Sequence, residues 1–390
     1  MDRREILQLG AATLAASSLA KSALAQAPAA SGKFTLDVYS KHLQWLRTPQ
    51  ELAKGIADIG LATTDLTVTP YPGHVDPAKV KTDLPAFVSA LKQNGVGVSS
   101  ITCAITDADT PGAEAILDAA SSAGIHNYSW GGYTYNPGQP YGPQLDALKP
   151  RVAALVKLNQ KYGMKALYQP KQGAQNVGAL FVDFLGVLQG FDPKFVAFRY
   201  DTGALLQVTS QNFLMHMRMG APYIGAVALN DAMVHLDLPV WDQGTFTPQQ
   251  LLAPSGGGDN TGNAGGNPNA IGGGGRRLPY NLHPVPVGTG MIDLMLIGKA
   301  LKDINFNGPA ECQITWDLGG AESGNDKITL PRQEVIGRIK RDRIIVEQGF
   351  QVPWNIDVAK PPFMEAPQAG AAGGRGGAAA AGGAPPAAAR

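Results

Sequence analysis

Near the end of the chain, the sequence ECQITWDLGGAE (residues 311–322) starts as an apolar-alternating run and breaks at Asp317-Leu318-Gly319-Gly320. If this is a barrel strand running into a glycine turn, Trp316, Asp317 and Glu322 are expected at its carboxyl end, where barrel enzymes keep their chemistry. Glu322 is the one glutamate expected near that end and is a candidate for proton transfer. His74, directly after Gly73, carries a side chain that titrates near neutrality; it either serves a sugar hydroxyl or acid/base work, or is a surface loop residue. Trp130, Tyr133, Tyr168 and Trp316 fall at or near expected strand ends. Aromatic rings there would pack on the CH faces of a carbohydrate while polar neighbours bond its hydroxyls. The same rings could instead plug the barrel top. His216, between Met215 and Met217 in a helical stretch, reads as structural. His235 and His283 flank a glycine-rich stretch and, with Asp231 or Asp317, could rebuild a metal site. Asp107 and Asp109 fit turn positions as well as ligand positions. Arg276-Arg277 could hold a phosphate or carboxylate, or form a solvated pair.

The elements that must position these groups alternate regularly. Strands are expected over residues 34–40, 64–69, 95–103, 125–130, 164–169, 195–200, 223–228 and 311–316. Helices are expected between them, among them 143–162, 205–219, 292–304 and a closing one over 332–348. Caps punctuate the pattern: Thr48 before Pro49, Asp76 before Pro77, and Gly124 and Gly163 after helices. Short apolar strands alternating with helices mean a parallel sheet with crossover helices, and eight such units close into a (β/α)₈ TIM barrel. An open doubly wound sheet is the alternative, but no GxGxxG follows the first strand. One insertion, residues 232–285, interrupts the barrel domain expected over 33–350. Its core, 255–275, is so rich in glycine that it cannot bury enough apolar surface to order itself, and the Ala/Gly/Pro tail over 361–390 is alike in this. The glycine run contains no lysine and opens no helix, so it does not read as a phosphate loop.

Composition narrows the function classes. Across 390 residues, 32 basic and 31 acidic side chains leave a net charge of +1, which gives no electrostatic case for a nucleic-acid or anionic-lipid partner. Cys103 and Cys312 lie in separate expected strands and read as core thiols rather than a disulfide. At the amino end, Arg3-Arg4 precede an apolar run over 9–20, Lys21 follows it, and Ala23-Leu24-Ala25 offers a small-x-small cleavage site. That is the pattern of a twin-arginine export signal over residues 1–25, predicting a periplasmic or otherwise exported mature protein. No later run is long and apolar enough for a transmembrane anchor. A homo-oligomer stays open.

The segments at Gly73-His74-Val75, 102–109, 168–173, Tyr200-Asp201, 286–293 and 316–322 resemble, in order and spacing, the xylose-isomerase-like TIM-barrel superfamily, and within it exported proteins of the sugar phosphate isomerase/epimerase type. The resemblance implies metal-assisted proton transfer next to a sugar carbonyl. A divalent cation (Mn, Mg or Co) would be held by two glutamates, an aspartate and a histidine from the ends of strands five to eight. Carried over, these positions fall at Gln169, at Asp201 (the one retained ligand), near Ala228 just before Asn230-Asp231, and at Thr315. A dication there is expected to bind weakly at most. Lys171 stands where relatives often carry a histidine; turned inward, it would pair with Asp201 and supply the cation's charge, or act as a base, and otherwise it is a solvent-facing loop lysine. The expected site is therefore Asp201, Lys171, Glu322 and His74 for the polar chemistry, with Gln169, Tyr168, Trp316, Asp231 and Trp130 contacting the sugar. Two further readings are a non-catalytic sugar-binding or accessory subunit, and a lyase or hydrolase acting on an oxidised sugar.

Overall fold

The computed structural model describes residues 35–173, 175–209, 212–236 and 280–354. The export signal, the glycine-rich run with Arg276 and Arg277, and the tail over 361–390 lie outside the described residues. Eight parallel strands close a barrel: β1 (Thr35–Tyr39), β2 (Thr63–Thr67), β3 (Gly97–Thr102), β4 (Asn127–Trp130), β5 (Lys165–Tyr168), β6 (Val196–Asp201), β7 (Ile224–Leu229) and, last in the chain, β10 (Pro309–Cys312), which pairs with both β7 and β1. Between them run helices α1 (Pro49–Ile59), α2 (Val80–Gln93), α3 (Ala113–Ser122), α4 (Tyr141–Tyr162), α5 (Val182–Leu188), α6 (Thr202–Thr209), α7 (Phe213–Gly220), α8 (Leu294–Asp303) and α9 (Arg332–Trp354). The helix starts obey their sequence signals. Thr48 and Glu51 form a reciprocal capping box ahead of Pro49, and Asp293 caps α8 through the Leu296 amide.

Three expectations change. The helix expected over 205–219 is two helices, α6 and α7. The strand expected over 311–316 is Pro309–Cys312, shifted toward the amino end. A two-stranded antiparallel arm follows β7: β8 (Asp231–Leu236) pairs with β9 (Tyr280–Val285), bringing the two ends of the insertion together.

Alternation along the strands sorts the side chains into two cores. Outward residues such as Tyr128, Tyr168, Phe198 and Tyr200 pack beneath the helices. Inward residues stack in layers. Leu167, Ala197 and Ala226 form a small apolar cluster of their own. The next inward residues on the strands are polar: Asp37, Asp65, Ser100, Arg199 and Glu311, all at least 97% buried. Above them, at the carboxyl ends, come Gln169, Asp201, Asn230 and Gln313.

Candidate functional site

The ends of β5, β6, β7 and β10 converge on one hydrogen-bonded quartet. Gln169 follows the last residue of β5, Asp201 closes β6, Asn230 follows β7 and Gln313 follows β10. The Gln169 Nε2 donates to Asp201 Oδ2 at 2.7 Å and to Gln313 Oε1 at 2.8 Å. The Asn230 Nδ2 donates to Asp201 Oδ1 at 3.0 Å and, more weakly, to Gln313 Oε1 at 3.4 Å. The Ala204 amide adds a bond of 2.8 Å to Asp201 Oδ1. Asn230 has no freedom to reverse its amide, because its Oδ1 accepts from the Gly203 N–H at 2.6 Å and an N–H can only donate. Gly203 is required there: a Cβ at that position would collide with Asn230 Oδ1. Asp201 and Asn230 are buried, while Gln169 and Gln313 are half-buried and give the quartet its opening. Burial raises the proton affinity of Asp201, and the amide donors around it oppose that rise without cancelling it.

This corrects the expected register at two of the four strand ends. Ala228 pairs with Asp201 across β6 and β7, and Asn230, two residues on, reaches the quartet. On the last barrel strand Gln313 takes the place assigned to Thr315, which is exposed. The β10 shift explains the error: a two-residue displacement keeps the face and changes the layer.

The other expected site residues are held elsewhere. Lys171 is exposed, and among the described residues no ion pair joins it to Asp201. Glu322 turns back on its own loop, its Oε2 accepting the Leu318 and Gly320 amides at 2.9 Å each. His74 spends both ring nitrogens: Nε2 donates to the Leu46 carbonyl at 3.1 Å, so Nδ1 accepts from the Thr67 hydroxyl at 2.8 Å. Burial, with help from Arg47, pushes its pKa down to about 4, so the ring is neutral at physiological pH. Trp316 leans onto α9, donating to Asp342 at 2.7 Å under the Arg338 guanidinium. Trp130, Tyr133 and Tyr168 pack with Phe184 in the outer core, where the Tyr168 hydroxyl donates to the Val177 carbonyl at 2.8 Å. These rings are buried aromatic packing rather than walls of the mouth.

Asp231 is a backbone clamp. Its carboxylate accepts from the amides of Ala232, Gly288, Gly290 and Ile292 at 2.8–3.1 Å, tying the arm to the turn that enters α8. Gly290 comes so close that a Cβ there would strike the carboxylate. His216 is buried against Phe181 in α7, as its helical setting implied. The arm's register sets His283 opposite Met233 and His235 opposite Asn281. Asp317 bonds the Gly319 amide and pairs with Arg338, and Asp107 pairs with Arg151. Among the described residues, no three His, Cys, Asp or Glu side chains are grouped to hold a metal ion; the His235 side chain of the site expected from His235, His283, Asp231 and Asp317 lies outside them.

Sequence reasoning missed Asn230, Gln313 and the charged layer beneath them. The signal for the last was present in the alternation Asp37-x-Tyr39, Arg199-x-Asp201 and Glu311-x-Gln313, three strands with polar residues on the face normally reserved for the barrel interior.

The closed barrel with its polar mouth matches a known class. The profile of the xylose isomerase-like TIM barrel family matches residues 54–333, and the chain belongs to that family. Among solved structures it is similar to an L-ribulose 3-epimerase, at 12% identity and a TM-score of 0.55, covering 83% of this chain and 96% of the other. It is similar to 3-keto-D-glucoside 4-epimerase from E. coli, at 13% identity and a TM-score of 0.51, covering 80% and 99%. The IolI protein, solved with a zinc atom bound, aligns at 13% identity and a TM-score of 0.54, covering 81% and 99%. At such identities the likeness establishes the fold. No curated protein matches the sequence.

Proposed function

We propose that this protein binds a small, polyhydroxylated carbohydrate at the carboxyl-terminal mouth of its barrel and moves a proton next to the sugar carbonyl. Asp201 is the base, and the site works without a tightly held dication. The observation that carries this reading is the quartet itself: one buried carboxylate of raised proton affinity, ringed by three carboxamides at four strand ends. Carboxamides both donate and accept, which suits sugar hydroxyls, and a carboxylate whose pKa is raised by burial suits proton abstraction.

The donor set does not fit a firmly bound divalent ion. It supplies a single negative charge, and the amide of Asn230 is locked with its NH₂ toward Asp201, so hydrogens occupy the space that lone pairs would need. The two bound carboxamides take over part of the charge-stabilising role on Asp201 that a cation would have in related barrels. Export in folded form, with residues 1–25 removed, belongs to the same reading; the amino-terminal sequence of the protein recovered from the periplasm tests it.

The runner-up, a non-catalytic sugar-binding subunit, is favoured by the fates of His74 and Glu322. Both are consumed by structural hydrogen bonds, leaving Asp201 the single titratable group of the quartet. One experiment separates the two. The mature protein is incubated with aldoses and ketoses in D₂O, with and without chelator, and exchange of the proton next to the carbonyl is followed by NMR. Chelator-resistant exchange that Asp201→Asn abolishes supports proton transfer. Saturable binding without exchange supports the binding subunit, and exchange that needs added Mn²⁺ overturns the metal-free reading.

A further inference from the structure

One layer below the quartet, three carboxyls surround a single guanidinium inside the barrel. Arg199 donates from Nη2 to Asp65 at 2.5 Å and to the Ser100 hydroxyl at 3.0 Å, and from Nη1 to Glu311 at 3.1 Å. Asp65 is fully served, since Ser100 and Thr102 add hydroxyl bonds of 2.5 and 2.8 Å. Asp37 is not. It receives the Ser99 hydroxyl on Oδ2 and has no bond to Arg199; its Oδ1 has no partner, nor has Glu311 Oε1, its direct neighbour in the β1–β10 register. The groups acting on Asp37 are the Ser99 hydroxyl, Asp65 and Arg199 inside the barrel, Glu311 beside it on β10, and the thiol of Cys312.

Charge counting then decides the state of this layer. Two side-by-side carboxylates, one lacking any cationic partner and both out of water, cannot both ionise at tolerable cost. We propose that the barrel interior is a proton-binding site: Asp37 takes up a proton when the chain folds and gives it up as the pH rises, charging the layer directly under the mouth. The site is independent of what the mouth binds. Its electrostatics agree with the geometry. Burial above all, with Asp65 adding to it, pushes Asp37 up to about 7, against the opposing pull of the Ser99 hydroxyl and Arg199. Burial likewise holds Glu311 well above the usual carboxylate range.

The layer is wired to the mouth through the strands themselves. Asp37 precedes Tyr39, Arg199 precedes Asp201 and Glu311 precedes Gln313 by one inward step each. A negative charge appearing at Asp37 therefore lies in the layer beneath the quartet, and pH acts on the mouth from below as well as through Asp201.

The linkage has a definite sign. An aspartate whose folded-state value lies above its unfolded one contributes its stability in full below about pH 4 and loses it as pH rises toward 7. Asp37→Asn, neutral at every pH, should therefore gain on the wild type steadily from about pH 4 to pH 7 and hold that advantage above it, read as the difference in Tm between the two proteins. A difference that stays constant with pH, or shrinks as pH rises, overturns the proposal. If the variant does not fold, ¹³C NMR of the assigned Asp37 carboxyl in the wild-type protein decides: titration near pH 7 supports the site, and completion below about pH 5 overturns it.

Discussion

Two layers of the same barrel, one inward residue apart on shared strands, solve the burial of polar groups in opposite ways. β6 contributes Arg199 to the lower layer and Asp201 to the upper; β10 contributes Glu311 and then Gln313. In the upper layer one charge is surrounded by neutral amides, and each carboxylate oxygen has a donor. In the lower layer three carboxyls compete for one guanidinium, and Asp37 Oδ1, Glu311 Oε1 and Arg199 Nε are left without partners. The contrast teaches where each layer's energy comes from. Neutral amides can satisfy a lone carboxylate by hydrogen bonding alone, whereas an excess of buried carboxyls has to be relieved by protonation. The upper layer is suited to exchanging its bonds for those of a ligand, and the lower one to holding the frame and sensing pH.

The sharpest way to break the comparison is to remove the cation of the lower layer. Arg199→Met should destabilise the protein by about 3–5 kcal/mol, or abolish folding, because it leaves buried carboxyls uncompensated; denaturant unfolding at pH 7 measures it. A loss under about 1 kcal/mol would mean that the layer is already neutral without its arginine. Next comes the clamp that carries the arm. Asp231→Ala strips four backbone amides of their acceptor, and a loss of about 2–3 kcal/mol is expected, with faster hydrogen exchange at Gly288, Gly290 and Ile292. In the upper layer, Gln169→Glu with Gln313→Glu raises the formal charge of the quartet from −1 to −3. Titration calorimetry should show Mn²⁺ affinity rising at least tenfold over the wild type; an unchanged affinity would show that charge count is not what limits ion binding at this mouth.

A smaller effect distinguishes the histidines from Asp37. Burial pushes His74 down to about 4 and His42 down to about 3. Both rings stay neutral in the fold and gain protons first in the unfolded chain. Their stability is present above about pH 6.5 and is lost as pH falls toward 4 and 3, opposite in sign to the contribution of Asp37. His74→Gln should flatten the acid limb of a Tm–pH curve and leave the limb above pH 7 unchanged. The smallest expected effect is at Lys171: exposed and without an ion pair to Asp201, it should be replaceable by alanine within about 0.5 kcal/mol. A loss of carbohydrate binding in that variant would return the lysine to the site.

The local sequence determined much of this protein. Alternation of short apolar strands with capped helices implied a closed parallel barrel, because a strand buried on both sides and a helix with one apolar stripe have few other ways to cover each other. Thr48, Asp76, Gly124 and Gly163 marked helix ends that the structure keeps, since caps are decided within a few residues. Asp201 was singled out through the family resemblance, at a strand end whose limits were legible to within one residue. Tertiary structure decided the rest. Whether Glu322 faces a ligand or its own loop, whether His74 has a free nitrogen, and whether Trp316 lines the mouth or lies on α9 depend on partners far away in the chain or on the path of a turn. Above all, the two-residue displacement of the last strand left the periodic pattern intact while exchanging Thr315 for Gln313 at the mouth. Pairing between strands distant in sequence sets that register, and a pattern of period two cannot distinguish one even shift from another.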